Sequence, residues 1–191
     1  MLKVRTLMVS AVLGAVLLTS AGCDFLMSPK QRYERAQSAV AEGDYRRALV
    51  ELKNALQKDS NLHEARALLA EVALWLGDPT NAEVELNRLP EANGTDPHLE
   101  LRVRIDLALG RFAAALEKLA AASSEQIKPA RVDLYRGFAL QGLGKTAEAQ
   151  QAFRAAAQAD PELIDAQVGI IDTMAAQGDA PGALSRSHKA F

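Results

Sequence analysis

The chain has 191 residues, a formal net charge of −2, 49% hydrophobic residues and only 5% aromatic ones. That length allows one sizeable domain, but with so few rings its core must be assembled from alanine and leucine, a composition that suits closely packed helices. Mild acidity without a basic block argues against nucleic acid as a partner, and a single cysteine rules out an internal disulfide.

The first residues are a separate material. Lys3 and Arg5 precede an uncharged, mostly apolar run from Leu7 to Leu18, and Thr19-Ser20-Ala21-Gly22-Cys23 follows. The run is too short to span a bilayer, which takes about 20 residues. A basic start, a short apolar middle and small residues before a cut site make a secretory signal. Ending on the only cysteine, it resembles the lipobox of bacterial lipoproteins, although Ser20 stands where that family prefers leucine. The resemblance implies cleavage after residue 22, lipidation of Cys23 and a place in the bacterial cell envelope facing the periplasm. Several buried acyl chains, each contributing about 0.8 kcal/mol per CH₂, would hold such a protein on a membrane. Asp24 resembles the inner-membrane retention signal of enteric lipoproteins. Without residues 1–22 the chain loses Lys3 and Arg5 and no acid, leaving 20 basic against 24 acidic residues, a charge of −4.

Residues 24–28 read as a tether, and Pro29 suits the first turn of a helix. From Gln31 to Glu42 the apolar residues Tyr33, Ala36, Ala39 and Val40 share one helical face. Gly43-Asp44 turns the chain, and Tyr45 to Lys58 presents Leu49, Leu52, Ala55 and Leu56. Asp59-Ser60-Asn61 stops that helix and caps the next. The second copy runs from His63 to Leu76, turns at Gly77-Asp78 and ends early at Pro90, before a loop in which Asn93-Gly94-Thr95 reads as a turn. In the third copy Arg102, Arg104 and Asp106 interrupt the helix Leu99 to Leu109, Gly110-Arg111 makes the turn, and Ala113 to Ala122 follows. The fourth is the most regular, with Leu134 to Leu143, Gly144-Lys145, Ala149 to Ala159 and the stop Asp160-Pro161. The fifth starts near Glu162, turns at Gly178-Asp179 and reaches Phe191 inside its second helix.

The glycines at 43, 77, 110, 144 and 178 are separated by 34, 33, 34 and 34 residues. Five residues after each stands Ala48, Ala82, Ala115, Ala149 or Ala183. Nine after come Leu52, Leu86, Leu119, Phe153 and the exception Ser187, and twelve after come Ala55, Leu89, Ala122, Ala156 and Ala190. A fixed period with small and large apolar residues on both sides of a glycine turn describes stacked helical hairpins. This beat, with the Asp160-Pro161 terminator and Gly137, Ala36 and Ala70 in the close-contact slot of the first helices, resembles the tetratricopeptide repeat; Val103 and Ile171 depart from that slot. The resemblance covers Pro29 to Phe191. It implies an all-α, right-handed α-solenoid of about five hairpins at 29–62, 63–95, 96–129, 130–163 and 164–191, the last incomplete. The stretches Val50 to Lys58, Glu64 to Ala70 and Gly77 to Leu86 further resemble the opening repeats of PrsT-type lipoproteins, which accompany exosortase (PEP-CTERM) sorting and exopolysaccharide export. Those proteins carry further repeats, so the chain reads as the front of a longer array.

Apparent chemistry is weak. Gly142-Leu143-Gly144-Lys145-Thr146 suggests a phosphate loop, but Ala139 stands where that motif needs glycine and the register puts a helix-helix turn there. His63, His98 and His188 have no metal-ligand spacing, no serine or cysteine sits in a nucleophile elbow, and Glu83 with Glu85 reads as a solvated face. No catalytic residue, metal or cofactor is expected. In tetratricopeptide proteins the groove stripe lies ten, six and two residues before the hairpin glycine. It implies a partner-binding groove that includes Tyr33, Gln37, Glu71, Trp75, Arg104 and Phe138, with protein or peptide segments as ligands. Trp75 reads either as an anchor for a partner or as packing on the neighbouring hairpin. The expected function is a membrane-anchored interaction scaffold in envelope assembly, exosortase-linked sorting and export foremost. The alternatives are a pilus or outer-membrane assembly lipoprotein and a regulatory part of a larger enzyme.

Overall fold

The computed structural model describes residues 27–90 and 96–179. The signal segment and Cys23, the Asn93-Gly94-Thr95 turn, and the second helix of the fifth copy with Ala183, Ser187, Ala190 and Phe191 lie outside the described residues. Those described are helical, with no strand among them. In chain order the helices are α1 (Pro29–Ala41), α2 (Tyr45–Lys58), α3 (His63–Trp75), α4 (Pro79–Asn87), α5 (Leu99–Ala108), α6 (Phe112–Ala121), α7 (Pro129–Gly142), α8 (Thr146–Ala159) and α9 (Ile164–Ala176).

The same device closes every hairpin. Gly43, Gly77, Gly110, Gly144 and Gly178 adopt φ of 75°, 77°, 72°, 74° and 85°. In each, the residue after the glycine donates its backbone N–H to the carbonyl five residues back: Asp44 to Ala39, Asp78 to Ala73, Arg111 to Asp106, Lys145 to Leu140 and Asp179 to Met174, at 2.8 to 3.0 Å. The glycine N–H reaches the carbonyl three back, as Gly43 does to Val40. This is the Schellman motif, which needs a left-handed residue after the helix. A Cβ on Gly43, Gly77, Gly110 or Gly144 would meet nothing within 4 Å, so backbone conformation and not crowding selects glycine.

By contact the chain forms two compact units that divide inside α3, Met1–Val72 and Ala73–Phe191. In the first, Ser28 opens α1 with a reciprocal cap: the Gln31 N–H donates to Ser28 Oγ and the Ser28 N–H to Gln31 Oε1. α1 and α2 pack through Ala36, Ala39, Ala48 and Leu52, joined by Ala65, Leu69 and Val72 of α3. Arg32 is buried at the side of this core and reaches Glu51 Oε2 at 3.0 Å.

In the second unit, α5 to α9 pack in sequence, and the first helices α5, α7 and α9 also lie side by side. The alanines five past the glycine, Ala82, Ala115 and Ala149, are fully buried, and Leu86, Leu119 and Phe153 fill the large slots. Phe153 of α8 lies between two glycines. A Cβ on Gly137 of α7 would come within 2.5 Å of its ring, and one on Gly169 of α9 within 2.7 Å. Phe138 meets Phe153 edge-on, with centroids 5.2 Å apart and planes at 72°.

Helix starts differ most from expectation in the fourth copy. α7 begins at Pro129, not Leu134, because proline is preformed for the first helical position and the intervening Ala130 is buried in the core. The Gly142 to Thr146 segment is the end of α7, a left-handed turn and the start of α8, with no strand before it.

Since Ala149 is fully buried at a helix-helix contact, Ala149→Leu is expected to overpack and cost about 1–3 kcal/mol. The exposed Lys145→Ala should stay within about 0.5 kcal/mol. Thermal melts of both variants decide this: equal shifts would contradict the register.

Candidate partner-binding face

In the first unit, α1 places Tyr33 half-buried against the core and Gln37 exposed one turn later, where Gln37 Nε2 donates to Tyr33 Oη at 3.1 Å. Glu71 on α3 is half-buried. The i, i+4 spacing of Tyr33 and Gln37 is what sets the phenol and the amide on one face.

In the second unit, Trp75 ends α3 and is 39% exposed. Arg104 on α5 and Phe138 on α7 are half-buried. Phe138 packs on the core through its edge contact with Phe153, so only part of its ring is offered to a partner. Between α5 and α7 lies a polar cluster that reading along the sequence missed. Tyr135 Oη donates to Glu100 Oε1 at 2.7 Å, and Arg131 Nη1 approaches the same oxygen at 2.5 Å. Only the repeat period could have revealed it: one period past Glu100 stands Leu134, and Tyr135 and Arg131 flank that position on α7. Burial, then the bond to Glu100, pushes the Tyr135 phenol from 10.0 up to about 12, against the opposing charges of Arg131 and Arg104.

A second ionic cluster joins α4, α5 and α6. Asp106 is buried on α5 and accepts from Lys118 Nζ at 2.6 Å, with Arg111 Nη1 at 3.8 Å. Arg111 also clamps both carboxylate oxygens of Glu83, holding that carboxyl below its ordinary range. Glu83 therefore does more than face solvent. A cavity of about 60 Å³ lies among Glu83, Arg102, Asp106, Lys118, Leu86 and Ile105, room on the order of a few waters. Among the described residues no group of three or more His, Cys, Asp or Glu is placed to hold a metal, and no helix is long and apolar enough to cross a membrane.

Residues 39–105 match the model of the tetratricopeptide repeat family. The fold is the tetratricopeptide α-solenoid. MamA, from residue 41 to its end, of Desulfovibrio magneticus RS-1 is 20% identical over 85% of this chain and 92% of its own, with a TM-score of 0.64. PilW, described as a widely conserved type IV pilus biogenesis factor, is 19% identical over 85% and 77%, with a TM-score of 0.67. YrrB, described as a tetratricopeptide protein with an unusual peptide-binding site, is 22% identical over 83% and 82%, with a TM-score of 0.54. Among curated proteins no relative matches this chain. Identities this low carry the fold and not the ligand.

The Tyr135 phenol is stabilised in its neutral form, so its contribution is complete below pH 10 and is lost as the pH rises towards about 12. Tyrosinate absorbance of the parent minus that of Tyr135→Phe should show an ionisation near pH 12. A difference centred at pH 10 would mean that the phenol is neither buried nor bonded to Glu100 in solution.

Proposed function

We propose that this chain is a lipid-tethered scaffold of the bacterial envelope that binds extended segments of partner proteins along the first helices of its hairpins and performs no catalysis. The observation that carries the reading is the first-helix face of the second unit. There Glu100, Arg131 and Tyr135 form a hydrogen-bonded group between α5 and α7, and Arg104 and Phe138 are half-buried on the same two helices. A face of fixed polar groups and an aromatic ring suits recognition of a peptide segment, and the peptide-binding site named for YrrB supports that class of ligand on this fold. The anchor is Cys23, with the domain facing the periplasm and Asp24 favouring the inner membrane. Within this reading, the PrsT-like stretches between Val50 and Leu86 support a role in exosortase (PEP-CTERM) sorting and exopolysaccharide export. A role in pilus assembly is the second reading, compatible in fold with PilW.

Crosslinking and pull-down from native membranes test the function directly. Exosortase or polysaccharide-export components in the eluate support the first reading, and pilus-secretin components support the second. Trp75→Ala is expected to weaken capture about tenfold or more while leaving the melt nearly unchanged, and Glu71→Lys to change which partners are retained. Capture unaltered by both would place binding on another surface. Fatty-acid labelling tests the anchor separately: the parent should incorporate label and Cys23→Ser should not, since no other thiol is present.

A further inference from the structure

Charge is unevenly shared along the chain. Residues 27–62 hold seven basic against five acidic residues, a charge of +2, whereas residues 155–179 hold five acidic and no basic ones. With Arg186 and Lys189 counted, residues 155–191 still carry −3. The first and fifth copies thus differ in sign, and on one helix of each the excess is gathered into a stripe.

On α2, Arg46, Val50 and Lys53 stand at i, i+4 and i+7 and share one face, all three exposed. The core contacts of this helix run through other positions, Ala48, Leu52 and Ala55. Arg46 lies in the first turn, at the positive end of the helix, where a cation is unfavourable. Its neighbour Arg47 is paired with Glu42, and Glu51 is taken by Arg32 and Arg35. The side chains of Arg46 and Lys53 make no ion pair or hydrogen bond with any described residue. The repeat does not ask for them, since the same positions hold Thr80, Val84 and Asn87 on α4.

The converse stripe stands on α9. Asp165, Val168 and Asp172, at i, i+3 and i+7, are all exposed, and Ile164 lies one turn before Val168. Ile164 and Val50, 62% and 56% exposed, are the two most exposed large apolar side chains among the described residues. Asp165 suits the first turn of its helix. Asp172, in the middle, has no such use, and neither carboxylate has a partner among the described residues.

Run antiparallel, the two stripes match residue for residue. Steps of four and three along α2 meet steps of four and three along α9 read backwards, each stripe covering about 10 Å of helix. Arg46 falls opposite Asp172, Val50 opposite Val168 and Lys53 opposite Asp165.

We propose that the chain associates with a second copy of itself, the exposed face of α2 in one copy lying antiparallel on the exposed face of α9 in the other. Two unpaired cations meet two unpaired carboxylates around an apolar centre that Ile164 widens. Because every copy carries both faces, the contact either closes between two copies or passes on from copy to copy. It goes beyond capture of a partner segment on α5 and α7 and does not rest on acylation of Cys23.

A disulfide between copies tests the match. The full chain is prepared in detergent in two tagged versions, both with Cys23→Ser so that no native thiol remains, one with Val50→Cys and the other with Val168→Cys. On mild oxidation the mixed pair should exceed either self-pair about tenfold, since only the mixed pair brings opposite charges together. Arg46→Glu with Lys53→Glu on the first version should lower that yield about tenfold, and Asp165→Lys with Asp172→Lys on the second should restore it. All four sites are exposed, and thermal melts check that each variant keeps its fold. Mixed and self-pairs in the ratio of random collision, a yield indifferent to the charge reversal, or no rescue by the exchanged charges overturns the proposal. So does absence of the mixed pair while Asp165→Lys with Asp172→Lys abolishes capture of other envelope proteins, which would assign the α9 face to a basic partner segment.

Discussion

Each hairpin of this protein depends on one backbone hydrogen bond, from the N–H three residues past the helix to the carbonyl five residues behind it, with the glycine just before the donor. That bond forms only if the residue between takes a positive φ, a conformation that costs an L-residue roughly 1–2 kcal/mol and glycine almost nothing. The five glycines are thus the points at which the chain can reverse without leaving helix-end carbonyls unsatisfied. Everything else is counted from them. With the reversal angle fixed, the residue five later falls where the two helices approach closest, and alanine is what fits there. Ala48, Ala82, Ala115 and Ala149 are fully buried for that reason.

Close approach limits how much a hairpin can bury, and the fourth repeat shows how the limit is met. Its large slot holds Phe153, whose ring is accommodated because Gly137 on one neighbouring helix and Gly169 on the other have no side chain. Two glycines inside helices each sacrifice about 1 kcal/mol of helix propensity. A fully buried phenylalanine returns about 1.5–3 kcal/mol by area alone, and the edge contact with Phe138 adds to it. The ring also spans three helices, which makes the fourth copy the centre of the second unit's core.

The turns and the small and large slots were legible in the sequence because they are local: a glycine that needs a positive φ, and a helical spacing counted from it. The start of α7 was less so. Pro129-Ala130-Arg131-Val132-Asp133 has a weak apolar period, and proline at its head reads equally as the end of a loop. Arg32 and Arg66, buried in the first helices of two copies, break the rule that arginine is outside. Arg32 does so because Glu51 of the next helix meets it, and Arg66 because the carbonyl of Ser60 accepts from it at 2.8 Å. The cluster of Glu100, Arg131 and Tyr135 escaped for a different reason. Its members are 31 and 35 residues apart, so they meet only when adjacent first helices are already in register. Phe138 was placed by the stripe rule, but the rule says nothing of how much of a ring the core claims.

The third hairpin is held differently from its neighbours, and α5 is the reason. Its apolar Val103 and Ile105 are buried, but its polar residues make the longer connections: Glu100 to α7, Asp106 to Lys118 of α6, and Arg102 to Asp96 and to Asn87 of α4. Half-buried ion pairs add little net stability, because desolvation offsets most of the attraction, but they are strict about geometry and expensive to leave half-made. α5 is therefore oriented by charge where α7 and α9 are oriented by shape. A partner segment lying on Glu100 and Arg131 meets charges that already satisfy each other, and gains from them only by offering a better-placed pair. Mere opposite charge would exchange one ion pair for another at little gain. If the proposed partner segment does lie on this face, its selectivity would rest on where its hydrogen-bonding groups stand relative to Tyr135 and Phe138, more than on its net charge.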